Sequence, residues 1–127
     1  MAKKRILVVD DEVDFLEILK KRLESEGYEV VTASDGKQAI EKVKKVRPDA
    51  VLLDIMMPEI NGIDVLTMIR EEDKELPVFM VTAFSNEERL KLANKLNASG
   101  YIIKTSDLKK ELEKMKSMIE IADKNKR

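Results

Sequence analysis

Three four-residue runs constrain this chain most: Ile6-Leu7-Val8-Val9, Ala50-Val51-Leu52-Leu53 and Val78-Phe79-Met80-Val81. Each is short for a helix and too uniformly apolar for a strand with one wet face. Runs of this kind suit strands buried on both sides, as in parallel sheets covered by helices. Longer stretches with an apolar stripe at helical spacing lie between them. Residues 12–26 put Phe15, Leu16, Leu19 and Leu23 on one face, with Lys20, Lys21 and Glu24 outward, and Gly27 stops the helix. Ser34 or Asp35 caps a second helix with the stripe Ala39, Ile40, Val43 and Val46. Asn61-Gly62 turns the chain into a third helix over 63–73. Ser85 with Glu88 three residues later is a capping-box pattern for a fourth, ending near Asn97. Ser106 caps a fifth, with Leu108, Leu112, Met115, Ile119 and Ala122 in its stripe.

Residues 28–33 carry Glu29 and Thr32 among apolar residues, so that strand belongs nearer an edge; residues 100–103 form a short last strand. Five strands thus alternate with five helices. Alternation with short connections predicts a doubly wound α/β domain over 1–122, a five-stranded parallel sheet with helices on both faces. Residues 123–127 read as a polar tail that frays.

The chain has 127 residues, the size of one domain with one core. It contains no cysteine and no histidine. That removes disulfides, thiolate metal sites, Ser-His nucleophiles and any phosphohistidine role. The net charge of −1 offers no basic field for nucleic acid or anionic membrane. No stretch has the apolar length of a membrane span and no signal peptide is visible, so a cytoplasmic protein is expected. Chemistry must rest on carboxylates, hydroxyls, lysines and backbone.

In a parallel sheet every strand's carboxyl end lies on one edge, where ligands bind. This chain puts Asp10 and Asp11, Asp54, Thr82 and Lys104 at four such ends. Taken singly, each has a plain structural reading. Paired aspartates before a helix cap it, a strand-end threonine bonds locally, and a lysine after an edge strand is solvated. Asp54 alone reads as a turn residue before Pro58. Together they permit specific chemistry. Three close carboxylates repel and raise at least one pKa. A hard divalent cation relieves that conflict. One carboxylate can then attack phosphorus, with lysine and hydroxyl steadying the phosphoryl oxygens. Ala83 beside Thr82 leaves room for the group.

Over nearly its full length the chain resembles a receiver domain of bacterial two-component response regulators, of the stand-alone chemotaxis type. The resemblance rests on VVDDE at 8–12, DxxMPxxNG at 54–62, the Thr82-Ala83 pair and YIIK at 101–104. It implies a flavodoxin-like sheet of order 2-1-3-4-5. It implies Asp54 as phosphoacceptor, with Asp11 and Asp54 as direct Mg²⁺ ligands, the Met56 carbonyl as a third, and Asp10 acting mainly through water. Lys104 matches the phosphate-pairing lysine, and Thr82 and Tyr101 match the switch pair. The implied phosphate source is a histidine kinase or histidine phosphotransfer protein. The implied partner surface is the last strand with its flanking helices, residues 85–122. The implied catalysis is limited to the chain's own phosphorylation and its slow reversal, with no external substrate. Met56 and Phe84 occupy the positions that reach the hydrolytic water, and neither holds water well, which predicts slow self-dephosphorylation.

Two positions depart from the family pattern. Thr105 stands where the family usually has a proline after a cis bond. A cis bond before a non-proline costs about 3–4 kcal/mol, which predicts a trans Lys104–Thr105 bond. Asn97 stands where glycine is common, a mild change because asparagine tolerates left-handed geometry. Three other readings compete. The chain could be the receiver piece of a longer regulator with a DNA-binding or enzymatic output domain. A flavin-binding domain of the same topology would want a phosphate loop after the first strand, where Asp-Asp-Glu stands instead. An aspartate-nucleophile phosphatase would want DxD spacing, which Asp54-Ile55-Met56 lacks.

Overall fold

The computed structural model describes residues 3–83, 87–104 and 107–124. Five strands alternate with five helices: β1 Arg5–Val9, α1 Val13–Ser25, β2 Glu29–Ala33, α2 Gly36–Val46, β3 Ala50–Asp54, α3 Gly62–Glu72, β4 Val78–Thr82, α4 Glu87–Lys95, β5 Gly100–Ile103 and α5 Leu108–Lys124. The strands form one parallel sheet in the order β2-β1-β3-β4-β5. β3 and β4 are buried at every position, as their apolar runs require. β2 is an edge strand, and its Glu29 points to water.

Side chains alternate across the sheet and build a core on each face. Leu7, Val9, Val51, Leu53 and Met80 pack with Ala39, Val65, Leu66, Ile69 and Ala93, so α2, α3 and α4 cover one face. Ile6, Val8, Leu52, Phe79 and Val81 pack with Leu16, Leu19, Leu23, Leu112, Met115 and Ile119, so α1 and α5 cover the other. The three apolar stripes named from spacing, on α1, α2 and α5, turn toward the sheet. Burying each such side chain contributes about 1.5–3 kcal/mol before entropy is counted.

Local chemistry sets the helix ends. Asp35 caps α2, its Oδ1 accepting from the Gln38 N–H at 2.8 Å. Asn61 caps α3, accepting from the Asp64 N–H at 3.0 Å. Gly27 follows α1 at φ 96°, and Asn97 follows α4 at φ 58°, the left-handed geometry expected of it. Helix α5 runs on through Asp123 and Lys124, two residues read from sequence as tail. Polar residues of this kind are compatible with a last helical turn as well as with a tail. Phe84, the Ser85 and Ser106 caps, and the bond to Thr105 lie outside the described residues.

The loop from β3 to α3 is held tightly against the strand it leaves. The Gly62 N–H donates to the Ile55 carbonyl at 2.9 Å. A Cβ on Gly62 would lie 2.1 Å from the Asp54 carbonyl oxygen and 2.8 Å from Ile55 Cα. Only glycine allows that approach, which fixes the backbone at Asp54.

Candidate functional site

Parallel pairing carries four strand ends to one edge. Asp10 follows β1, and its N–H bonds the Ala33 carbonyl at 3.1 Å. Asp54 is the last residue of β3 and pairs in register with Val81. Thr82 ends β4 and is buried. Lys104 follows β5, its N–H donating to the Thr82 carbonyl at 2.8 Å.

Asp10 and Asp54 are only 1% and 3% exposed. Lys104 Nζ reaches both carboxylates, at 2.8 Å from Asp10 Oδ2 and 3.6 Å from Asp54 Oδ2. It also lies 2.6 Å from Glu12 Oε1 and 4.8 Å from the centre of the Phe15 ring. The ammonium thus sits among three carboxylates and an aromatic face. Burial lowers the Lys104 pKa, but the close contacts with Asp10 and Glu12 and the charges of Asp54 and Asp10 outweigh it and leave it raised.

Asp54 shows the cost of this crowding. Burial pushes its carboxyl up, and the Asp10 charge pushes further. Lys104 pulls back, the hydrogen bond with Asp10 adds to the rise, and the Met56 N–H, 3.3 Å from Oδ1, opposes it. The result is a pKa of about 7 against an ordinary 3.8. Among the described residues, Asp10 Oδ2 is in ion-pair contact with Lys104 but accepts no aligned hydrogen bond.

Oxygen donors from Asp10, Glu12 and Asp54 lie within 4.8 Å of one another, close enough to share one ion. A hard divalent cation suits this set: the donors are carboxylates, they repel, and one buried oxygen lacks an aligned donor. Of the acids read from sequence, Asp10 and Asp54 are in this group. Asp11 is exposed, and among the described residues it does not join them. Glu12, read only as a helix start, does.

The remaining predicted residues fall around the site. Met56 follows the acceptor strand and is 56% exposed. Tyr101 is half-buried on β5, with its hydroxyl donating to Asn94 Oδ1 of α4, and burial raises its pKa. Sequence reasoning missed Arg70. This buried arginine of α3 donates to the carbonyls of Leu96 and Asn97, each at 2.9 Å, and of Asp73 at 3.0 Å. It thereby ties the end of α4 to α3. An arginine directly after Ile69, inside the helix read over 63–73, was the available signal.

Residues 6–116 match the family profile of the response regulator receiver domain. The chain is 43% identical over 121 residues to chemotaxis protein CheY of Treponema pallidum, a match covering 93% of this chain and 84% of that protein. It is 41% identical over 101 residues to the alkaline phosphatase synthesis transcriptional regulatory protein PhoP of Bacillus subtilis, covering 80% of this chain and 42% of PhoP. It spans 40% to 51% of the length of the transcriptional regulators it matches. Among solved structures, response regulator TrrA of Thermotoga maritima, in complex with Mg²⁺-BeF, superposes with a TM-score of 0.82 at 40% identity, over 91% of this chain and 98% of that one. A profile match running from β1 into α5, on a sheet that gathers these acids and this lysine at one edge, places the chain in the response regulator receiver domain family of two-component systems.

Proposed function

We propose that this chain is a phosphoacceptor switch: Asp54 receives a phosphoryl group from a phosphohistidine on a histidine kinase or histidine phosphotransfer protein, and the phosphorylated form changes its affinity for a partner protein. The observation that carries this reading is Asp54 itself. It is a buried carboxylate at a central strand end, pushed to a pKa of about 7, with Asp10 beside it and Lys104 Nζ at 3.6 Å. Perturbed acids of this kind gather where chemistry is done.

In the transfer, an Asp54 carboxylate oxygen attacks phosphorus in line. The O–P bond forms as the P–N bond breaks, and the electron pair leaves on the imidazole nitrogen, which takes a proton from solvent. Asp54 and, mainly through water, Asp10 would hold Mg²⁺, with Asp11 and the Met56 carbonyl as the further ligands the family pattern implies; Asp11 would have to turn in from its exposed position, and the ion would neutralise the crowded carboxylates and the phosphoryl oxygens. Lys104 pairs with a phosphoryl oxygen. The Thr82 hydroxyl and the Tyr101 ring form the switch, and the hydrogen bond from Tyr101 to Asn94 already links that ring to α4. The chain acts on no external substrate; it catalyses its own phosphorylation and a slow self-dephosphorylation, in the cytoplasm. Leu92, Met118 and Ile121 are exposed on α4 and α5 and supply apolar contact for a target on the 85–122 face. No helix among the described residues is long and apolar enough to cross a membrane.

A second reading has support from the relatives. The match to 42% of PhoP favours the receiver piece of a longer transcriptional regulator.

The test is covalent labelling. Acetyl phosphate with Mg²⁺ should modify the native protein by one phosphoryl group and leave Asp54→Asn unmodified, read by intact-mass spectrometry. Undiminished labelling of the variant overturns the assignment of Asp54.

A further inference from the structure

Glu12 occupies a helix-cap position without acting as a cap. It is the N-cap of α1, at φ −84° and ψ 100°, yet its side chain accepts no hydrogen bond from the first turn. Good caps are shorter, with Ser, Asp and Asn preferred. The Glu12 carboxylate instead crosses to the end of β5, where Oε1 lies 2.6 Å from Lys104 Nζ. That is the shortest of the three carboxylate contacts the ammonium makes; Asp10 stands at 2.8 Å and Asp54 at 3.6 Å. Lys104 is therefore drawn toward Glu12 and Asp10 and held off Asp54. The partners differ in exposure: the Glu12 side chain is 64% exposed and that of Lys104 is 9% exposed. Glu12 can withdraw into water at little desolvation cost, and buried Asp10 cannot.

We propose that Glu12 is a positioning residue for Lys104, holding the ammonium back from Asp54 in the resting protein and competing for it with the incoming phosphoryl oxygens. This rests on the reading of Asp54 as phosphoryl acceptor. On transfer, Lys104 leaves Glu12 for the phosphoryl group, and the carboxylate turns to solvent. A contact made only in the resting state opposes phosphorylation, so breaking it favours the phosphorylated state. The reach of the side chain matters as much as its charge.

Native protein, Glu12→Gln and Glu12→Asp are titrated with beryllofluoride at saturating Mg²⁺, with binding followed by NMR. Mg²⁺ affinity is measured separately by calorimetry, and the rate of labelling by acetyl phosphate by mass spectrometry. Both variants should bind beryllofluoride about two- to fivefold more tightly, the scale of one partly exposed ion pair, and gain the same factor in labelling rate. Mg²⁺ is held saturating for each protein by its own measured affinity, so a change in ion affinity does not enter the comparison. Glu12→Asp is the deciding arm, because it keeps the charge, loses the reach and is the better helix cap. If only Glu12→Gln tightens binding, a long-range field is responsible and the proposal fails. It fails equally if both variants match the native protein. A native protein that takes no phosphoryl group on Asp54 fails the acceptor reading itself, which the Asp54→Asn labelling reports independently.

Discussion

Replacing Asp54 with Asn should stabilise the resting protein, by an amount that depends on pH. The Asp54 pKa is about 7 in the folded state against 3.8 for an ordinary aspartate. The folded protein therefore binds more protons than the unfolded chain between those values, and this group's contribution to stability falls as pH rises from about 4 to about 7. Below pH 4 both states are protonated and Asp54 costs nothing. Above pH 7 the full penalty is present, on the order of 4 kcal/mol at about 1.4 kcal/mol per pKa unit. That figure is a ceiling, because Asp10 and Lys104 readjust when the charge is lost. Asparagine keeps an oxygen for the Met56 N–H, and its amide can donate to Asp10. Asp54→Asn should thus be about 1–3 kcal/mol more stable than native at pH 8 and equal to it near pH 4.

Urea unfolding of both proteins across pH 4 to 8, without divalent cation, measures the gap. Saturating Mg²⁺ at pH 8 should then raise the native protein far more than the variant and narrow the difference, since a ligand stabilises only the state that binds it. A gap that stays constant with pH, or a variant less stable than native at pH 8, would show that the carboxylates do not repel as the geometry requires.

Gly62→Ala should destabilise by about 2–3 kcal/mol and slow labelling of Asp54, because the new methyl meets backbone at Asp54 and Ile55. Helix propensity alone predicts a gain of about 1 kcal/mol, so the sign of the urea midpoint shift decides between the two. Arg70→Leu strands the carbonyls of Asp73, Leu96 and Asn97 and should cost about 2–3 kcal/mol, with faster hydrogen exchange at the end of α4. An unchanged exchange pattern there would remove Arg70 as the tie between α3 and α4. The double variant Met56→Asn, Phe84→Gln should lose phosphate on the order of tenfold faster than native, since polar groups at these positions can orient water. Equal decay of the labelled proteins would show that water access at these positions does not set the lifetime.

The fold was legible because its signal is redundant. Three uniformly apolar runs specified buried strands, and three amphipathic stripes with two turn or cap signals specified their covers. Only the strand order needed more than the pattern, and it came from resemblance. The run of α5 through Lys124 was not legible, because polar residues such as Asp123 and Lys124 are as common in a last helical turn as in a tail. Gly62 was read as part of a turn; its close approach to Asp54 is a tertiary fact that no local pattern carries.

The site divides along the same line. Topology alone brings strand ends together, so Asp10, Asp54, Thr82 and Lys104 could be named from their places after apolar runs. Which neighbouring acid turns inward is set by the geometry of one bend after β1. There the Glu12 N–H bonds Asp10 Oδ1 at 2.8 Å, a local turn that leaves Asp11 facing solvent. From that turn the longer Glu12 side chain reaches back to Lys104. Spacing along the chain distinguishes faces of a strand or a helix, and it loses that power where the strand has ended and the helix has not begun. Asp11 and Glu12 stand in that gap. Their roles follow from side-chain length and from the position of a lysine 92 residues further along the chain, which is why Glu12 was read only as the start of a helix.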